Sequence, residues 1–196
     1  MQTTTLSFEN LHNHGELFAN MLRARRELFI ERNKWDLPEA MGMEYDQYDT
    51  PASRWVVVHD ELGQVLAGNR LTPTTARCGI YTYMIRDAQK GLLDTIPAHL
   101  LHDEAPVSET VWESSRLFVS QRVPLAQRRP IYFNLVQELA KAARNLGATQ
   151  CLTLLNANWT LWYKRVGIDM TAMGPVMEID GINNQVVSMN FASNLH

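Results

Sequence analysis

The 196-residue sequence contains no apolar run approaching the ~20 residues of a membrane-spanning helix, so no membrane span is expected. Cysteine is scarce. Cys78 and Cys151 form no CxxC pair and have no histidine at ligand spacing, so a disulfide framework and a thiolate metal site are both disfavoured. The six histidines form neither HxH nor HExxH, and no metal or other cofactor is expected. Met1 to Asn13 lacks a basic start followed by an apolar stretch, so no secretory signal is expected and the cytoplasm is the expected location. Repeats, low-complexity tracts and linkers are missing too, which favours a single domain over residues 1–196.

What is present is ordinary globular material: 45% hydrophobic and 20% charged residues, enough for a sizeable core. The net charge of −3 is unevenly spread. From Arg116 to Arg165 there are eight basic residues against one acid, Glu138, so that segment carries +7 and the remainder −10. The asymmetry fits an acidic partner or a phosphate-bearing ligand, and equally a solvated basic helix face. Nucleic acid is not expected, because no aromatic–basic interleaving or zinc-finger spacing accompanies the charge.

Periodicity supplies the elements. Leu17, Met21, Leu22, Arg25, Leu28 and Arg32 recur at steps of three and four, which predicts a helix over Glu16–Glu31 with an apolar and a basic side. Asn33–Ser53 is polar and long for a structureless loop, a common mark of function, and carries Asp46 and Asp49. Trp55–His59 and Gln64–Leu71 read as strands joined by a turn at Glu61-Leu62-Gly63. Gly79–Met84 reads as a short strand, Arg86–His102 as short helices, and Val111–Ser120 as a buried strand. Arg129–Asn145 is the strongest helix, with Pro130 in its first turn and Gly147 as its stop. Gln150–Leu155 is a strand, Trp159–Arg165 a short helix closed by Gly167, and strands near Met170, Val176 and Val186–Phe191 finish the chain. This order predicts an α/β fold: a three-layer mixed sheet with helices on both faces and a central parallel pair joined by the Arg129–Asn145 helix. It is also the element order of the N-acetyltransferase-like fold, which by itself does not give function.

Four segments carry the chemistry: Arg25-x-x-x-Phe29-x-x-x-x-x-Trp35; Gly42-Met43-Glu44-Tyr45-Asp46-Gln47-Tyr48-Asp49; Arg70 at the end of the second predicted strand; and Glu113-Ser114-Ser115-Arg116-Leu117-Phe118-Val119. In this order and with these gaps they resemble the acyl-homoserine-lactone synthases, the autoinducer synthases of bacterial quorum sensing, from about Arg25 to Gly167. Arg25, Phe29, Trp35, Asp46, Asp49, Arg70, Glu113 and Arg116 are all residue types that the family uses at the matching positions. The last third of the chain is less similar. The resemblance implies acyl transfer from a thioester to the amine of S-adenosylmethionine, then lactone closure with loss of methylthioadenosine.

The residue chemistry agrees. S-adenosylmethionine carries a sulfonium, an ammonium and a carboxylate, and needs acids, an arginine and aromatic surface. Arg25, Phe29, Trp35, Asp46, Asp49 and Arg70 are the binding candidates, and Glu113 and Arg116 the catalytic ones. Each has a plainer reading beside it. Asp46, Asp49, Arg70 and Arg116 make a structural ion-pair cluster, Phe29 and Trp35 are core, Arg25 is a solvated helix arginine, and Glu113 pairs with an arginine. For the first four, both readings are expected to hold together. Glu113 would receive the amine proton during attack, through a water.

The family's usual acyl donor is acyl-carrier protein, an acidic partner that Arg122, Arg128, Arg129, Lys164 and Arg165 would meet. Gln121–Arg129 contains no glycine, unlike the pyrophosphate loop of coenzyme-A acetyltransferases. Yet Arg70–Thr75 resembles a branch in which some members accept acyl-coenzyme A, so both donors stand. Met84, Leu152, Leu154, Trp159 and Trp162 are candidates for an acyl-chain pocket between the sheet and the Arg129–Asn145 helix, or are simply core. Thr153 matches a family position associated with 3-oxo chains. The competing functions are a coenzyme-A-dependent N-acetyltransferase acting on another amine, and a non-catalytic ligand-sensing domain that kept the fold.

Overall fold

A computed structural model describes residues 1–162, 165 and 167–191. It resolves two compact units, Met1–Leu71 with Arg116–Ala142, and Thr72–Ser115 with the chain from Ala143 onward.

The first unit opens on a strand that the sequence reading missed, β1 (Gln2–Leu6), whose run of threonines is β-branched. It pairs antiparallel with β4 (Arg54–His59) from Gln2↔His59 to Leu6↔Trp55, and Thr4 Oγ1 lies 3.0 Å from His59 Nε2. The next strand, β5 (Val65–Pro73), returns antiparallel to β4 as expected, through a turn in which the Asp60 carboxylate accepts from the backbone of Leu62 and Gln64. Ser120, just beyond β6 (Val111–Val119), donates its N–H to Leu66 O at 2.8 Å, which sets β6 beside β5.

Helix α1 (Leu17–Arg26) lays Leu17, Met21 and Leu22 into a core with Leu6, Trp55, Val57, Phe29 and Phe118. The alternate residues of β4, Val56 and Val58, are equally buried, so both faces of that strand are covered. Beyond α1 the helix widens into a π-helical segment, Glu27–Arg32, where Asn33 donates to Leu28 O, five residues back. The expected loop is not structureless. It holds a two-residue hairpin, β2 (Glu39–Ala40) and β3 (Met43–Glu44), turning on Met41 and Gly42. Both turn residues have positive φ, 54° and 74°, as a tight hairpin of this hand requires.

In the second unit β6 runs parallel to β7 (Gln150–Asn156), from Val111↔Gln150 to Ser114↔Thr153. Strands β8 (Asp169–Ala172), β9 (Met177–Ile179) and β10 (Ile182–Asn190) follow, with β10 antiparallel to β7, β8 and β9. The sheet order is β1-β4-β5-β6-β7-β10-β8, a mixed sheet whose one parallel pair among the described strands is β6–β7. The helix that joins this pair is the predicted one, α3 (Leu125–Asn145), with a buried stripe at Ile131, Leu135, Val136, Leu139 and Ala140. It ends at Gly147 (φ 83°), where Ala148 donates back to Ala143 O and Gly147 to Arg144 O.

Three expectations are corrected. The long helix begins at Leu125, so Pro130 lies inside it and removes one intrahelical N–H rather than opening the first turn. Gly79–Met84 is no strand: Cys78 and Tyr81 form an isolated bridge, and Met84 starts α2 (Met84–Gln89). The Asp87 carboxylate accepts from the Thr82 N–H and hydroxyl and so fixes that helix entry. The expected helix at Trp159–Arg165 is a 3-10 turn over Ala157–Leu161, while Tyr163, Lys164 and Val166 fall outside the described residues.

Candidate active site

The first unit gathers three arginines and three acids into a closed ring of alternating charge. Arg25 pairs with Glu44 at 2.5 Å and with Asp49 at 2.8 Å. Arg70 pairs with Asp49 at 3.0 Å and with Asp46 at 2.5 Å. Arg116 closes the circuit to Asp46 at 2.8 Å and to Glu44 at 3.2 Å. Helix α1 supplies Arg25, the hairpin and its exit supply the acids, β5 supplies Arg70 and β6 supplies Arg116. The ring is net neutral and almost wholly buried. Such burial is costly for any isolated charge and is tolerated because every member has two opposite partners.

Burial alone would raise the Asp46 carboxyl, but Arg70 and then Arg116 outweigh it and hold it below the usual carboxylate range. Asp49 is depressed in the same way, burial being opposed first by Arg70 and then by Arg25. Burial likewise works against the Arg25 charge, yet Asp49 and Glu44 leave its pKa raised. The plainer reading of Arg25 as a solvated helix arginine is excluded: its side chain is 1% exposed and meets Glu44 and Asp49. Glu44 is the member that the sequence reading overlooked. The available signal was its position, two residues before Asp46 in the Gly42–Asp49 segment.

Aromatic surface adjoins the ring. Phe29 is buried and stacks on Trp35, with centroids 5.1 Å apart and planes 3° from parallel. Trp35 is 39% exposed, so one face of this expected core pair reaches solvent. The Arg116 guanidinium carbon lies 5.6 Å from the Phe29 ring centroid, and that of Arg70 lies 5.6 Å from the Tyr48 ring. Trp55 Nε1 donates to Asp49 Oδ1 at 3.0 Å.

Arg116 has φ of 53°, a left-handed backbone in the middle of a strand. For a residue with a Cβ this stores on the order of 1–3 kcal/mol and marks functional positions. It also breaks the expected strict alternation of β6. The β6–β7 ladder ends at Ser114↔Thr153 although both strands continue, so the strain falls two residues past the last residue paired with β7.

Glu113 lies in the second unit, fully buried. Its carboxylate accepts from the backbone N–H of Ile85 at 2.8 Å and of Met84 at 3.2 Å, so it caps the first turn of α2. Burial, and then the Glu113 charge, push the Tyr83 hydroxyl and the Cys151 thiol above their ordinary values. A thiol so raised is inert as a nucleophile.

Comparison with known proteins decides the family. The autoinducer synthase family model matches residues 9–193. The chain belongs to the autoinducer synthase family.

An acyl-homoserine-lactone synthase of Ralstonia solanacearum is 30% identical over 172 residues, which cover 83% of this chain and 76% of that one. The crystal structure of TofI in a ternary complex with an inhibitor and MTA superposes with a TM-score of 0.74 at 27% identity, covering 97% of this chain and 92% of TofI. An acyl-CoA N-acyltransferase from Pseudomonas aeruginosa shares the fold more distantly, with a TM-score of 0.58 at 17% identity over 96% of this chain and 99% of that one. The N-acetyltransferase-like architecture expected from the element order is therefore the architecture found.

The remaining candidates of this autoinducer synthase divide by strand face. Leu152 is buried in a cluster with Tyr83, Ile85, Leu100, Val111 and Val186, against which Met84 and Leu154 pack. That cluster is built with α2, which corrects the expected position against the Arg129–Asn145 helix. Thr153 points to the opposite face of β7, as strand alternation requires. Trp159 is buried and donates to Gln185 Oε1 at 2.9 Å, while Trp162 is half-buried.

Among the basic residues, Arg122 is 62% exposed and pairs with Glu27 at 2.6 Å. Arg129 is exposed, with its guanidinium over Phe133, and Arg165 is exposed. Arg128 instead donates to Val123 O and Gln121 O, so it holds the turn before α3. Lys164 lies outside the described residues. No helix among those residues is long and apolar enough to cross a membrane.

Proposed function

We propose that the protein makes an acyl-homoserine lactone, a quorum-sensing signal, from S-adenosylmethionine and an acyl thioester. The observation that carries this is the neutral arginine–carboxylate ring beside the half-open Phe29–Trp35 stack, within a chain of the autoinducer synthase family. The stack offers a π surface to the adenine and sulfonium. Arg116 offers a charge-assisted contact to the methionyl carboxylate. Arg25, Asp46, Asp49 and Arg70 contribute by holding the loop and Arg116 in place.

The amine of S-adenosylmethionine attacks the thioester carbon. Glu113 takes the amine proton through a water and returns it to the departing sulfur, the tetrahedral oxyanion is met by backbone N–H groups of β6 past the end of its ladder with β7, and the thiol leaves as the amide forms. The Glu113 carboxylate accepts the N–H groups of Met84 and Ile85, which fixes its place at the start of α2. In the second step the carboxylate oxygen attacks the carbon next to the sulfonium. The carbon–sulfur bond breaks, its electron pair neutralises the sulfur, and methylthioadenosine departs as the lactone closes. Enforced proximity favours this intramolecular closure. The MTA held by the TofI crystal matches the expected by-product.

The acyl donor is a carrier-protein thioester, with acyl-coenzyme A as the second donor. The basic excess of residues 116–165 and the exposed Arg122, Arg129 and Arg165 favour an acidic carrier. The apolar cluster around Leu152, Leu154 and Met84 is the surface offered to the acyl chain, and Thr153, on the other face of β7, is the candidate contact for a 3-oxo group. The expected place of action is the cytoplasm.

Mass spectrometry of reactions containing S-adenosylmethionine and short-, medium- or long-chain acyl thioesters tests the reading. Equimolar lactone and methylthioadenosine are expected. Their absence with every donor, carried by coenzyme A or by carrier protein, rejects it.

A further inference from the structure

Glu44 is the most deeply placed acid of the ring, with no exposed side-chain surface. Its Oε2 accepts from Arg25 Nε at 2.5 Å and its Oε1 from Arg116 Nε at 3.2 Å. One carboxylate therefore ties the helix arginine to the strand arginine. Arg25 and Arg70 are as buried as Glu44, at 1% and 0%, whereas Arg116 keeps 12% exposure. Among the ring arginines Arg116 is thus the one that meets solvent, and it does so above Phe29, beside the exposed Trp35. Its left-handed backbone sends the side chain to the ring, where an extended residue would follow the alternation of the strand.

We propose that Glu44 is a positioning residue that holds Arg116 as the carboxylate-binding arginine for the methionyl end of the adenosyl substrate. The inference rests on the S-adenosylmethionine reading above. Glu44, being sealed from solvent, never touches the ligand. With Asp46 on Nη2, it fixes the Nε of Arg116 and so holds the guanidinium carbon 5.6 Å from the centre of the Phe29 ring. The ligand's purine depends on Phe29 and Trp35, and its carboxylate on Arg116, so the two ends separate experimentally.

Calorimetric titration of wild type, Glu44→Gln and Glu44→Asp with S-adenosylmethionine and with methylthioadenosine, which lacks the carboxylate, tests this. Glutamine keeps the size but sets an N–H against an arginine N–H. Glu44→Gln is expected to weaken S-adenosylmethionine by about tenfold or more, the scale of one charge-assisted hydrogen bond, and to leave methylthioadenosine within about twofold. Glu44→Asp is expected to restore part of the loss. In steady state the KM for S-adenosylmethionine rises, while that for the acyl donor holds. Equal weakening of both ligands, or unchanged S-adenosylmethionine binding, overturns the inference. If Glu44→Gln does not fold, Arg116→Lys, which keeps the charge and loses the fork, must show the same selective loss, and its failure to do so is equally decisive. A wild-type protein that binds neither compound instead overturns the lactone-synthase reading and this inference with it.

Discussion

Arg70 Nη1 lies 2.5 Å from Asp46 Oδ1 and 3.0 Å from Asp49 Oδ1, so one fully buried arginine holds both aspartates at the end of the loop. Replacing Arg70 by methionine keeps most of the volume and leaves two buried carboxylates with one arginine each, Asp46 with Arg116 and Asp49 with Arg25. Loss of one partner from a buried ionic network costs about 3–5 kcal/mol. For a domain of this size that is a fall in Tm of roughly 10 °C. Differential scanning calorimetry is the measurement. A change of less than about 2 °C would show the ring to be structurally idle.

The same ring sets an acid limit on stability. Asp46 and Asp49 have folded pKa values below their unfolded ones, because Arg70 with Arg116 or Arg25 outweighs burial. Their stabilisation is therefore fully present above the unfolded value of about 3.9, and is lost as pH falls below it toward the depressed folded values. Urea unfolding between neutral pH and roughly pH 3 should show stability declining mainly below about pH 4. Asp49→Asn should be less stable at neutral pH and should show a shallower acid decline. An identical acid slope in the variant would count against this origin.

Gly68 meets Phe118 so closely that an added Cβ would lie 2.7 Å from Phe118 Cε1. Phe118 packs edge-on to Phe29, which stacks on Trp35, so a push at Gly68 passes to the aromatic surface. Gly68→Ala is expected to cost about 1–3 kcal/mol from overpacking and to weaken methylthioadenosine binding several-fold. Chemical denaturation and calorimetric titration read the two effects. A stability loss with unaltered ligand affinity would uncouple the glycine from the aromatic pair.

How much of this was legible follows from what each feature depends on. The β6–α3–β7 crossover was readable because its signals are local: a buried strand, a long apolar stripe and Gly147. Residues Arg25, Asp46, Asp49, Arg70 and Arg116 were readable as a group through the resemblance of their segments to the autoinducer synthases, and all but Arg25 also through the charges of the substrate. The closure of the ring was not, because Glu44 becomes buried only once the Met41–Gly42 turn folds β2 on β3. Nor was the inward turn of Arg25, which the wide π-helical segment accompanies and a regular periodicity places among basic neighbours. The start of α3 was misplaced because Pro130 reads as a first-turn residue, while Arg128, bonded to the Val123 and Gln121 carbonyls, supports an earlier start. Thr153 was placed in the acyl pocket with Leu152 by its match to a family position, and strand alternation separates the two.

The nature of the acyl donor separates through Arg122. Its guanidinium is 62% exposed and pairs with Glu27, so the pair contributes little to stability, on the scale of ~0.5 kcal/mol. Arg122→Glu should leave Tm nearly unchanged and raise KM for an acyl-carrier-protein substrate several-fold, with added salt weakening the wild type in the same direction. The KM for an acyl-coenzyme A substrate is expected to stay within about twofold, because a small donor makes fewer contacts with such a surface. Equal KM changes for both donors would remove Arg122 from a protein-docking role.

Glu113 and the amides of Met84 and Ile85 offer the sharpest division between chemistry and scaffold, since one carboxylate serves both. If Glu113 takes the amine proton, Glu113→Gln should lower kcat by about 10²-fold or more, the usual contribution of a positioned acid–base group. Substrate affinities should change far less. Glutamine can accept from one of the two amides but opposes the other, so hydrogen exchange at Met84 or Ile85 should also quicken. The two readouts are independent. Rapid exchange with turnover preserved assigns Glu113 to α2 alone. A collapse of kcat with substrate affinities held assigns it to proton transfer. Glu113→Ala removes the acceptor for both amides and should accelerate exchange further. Because it adds no opposing N–H, any difference in kcat between the glutamine and alanine variants measures how far disorder at the start of α2 reaches the reacting atoms.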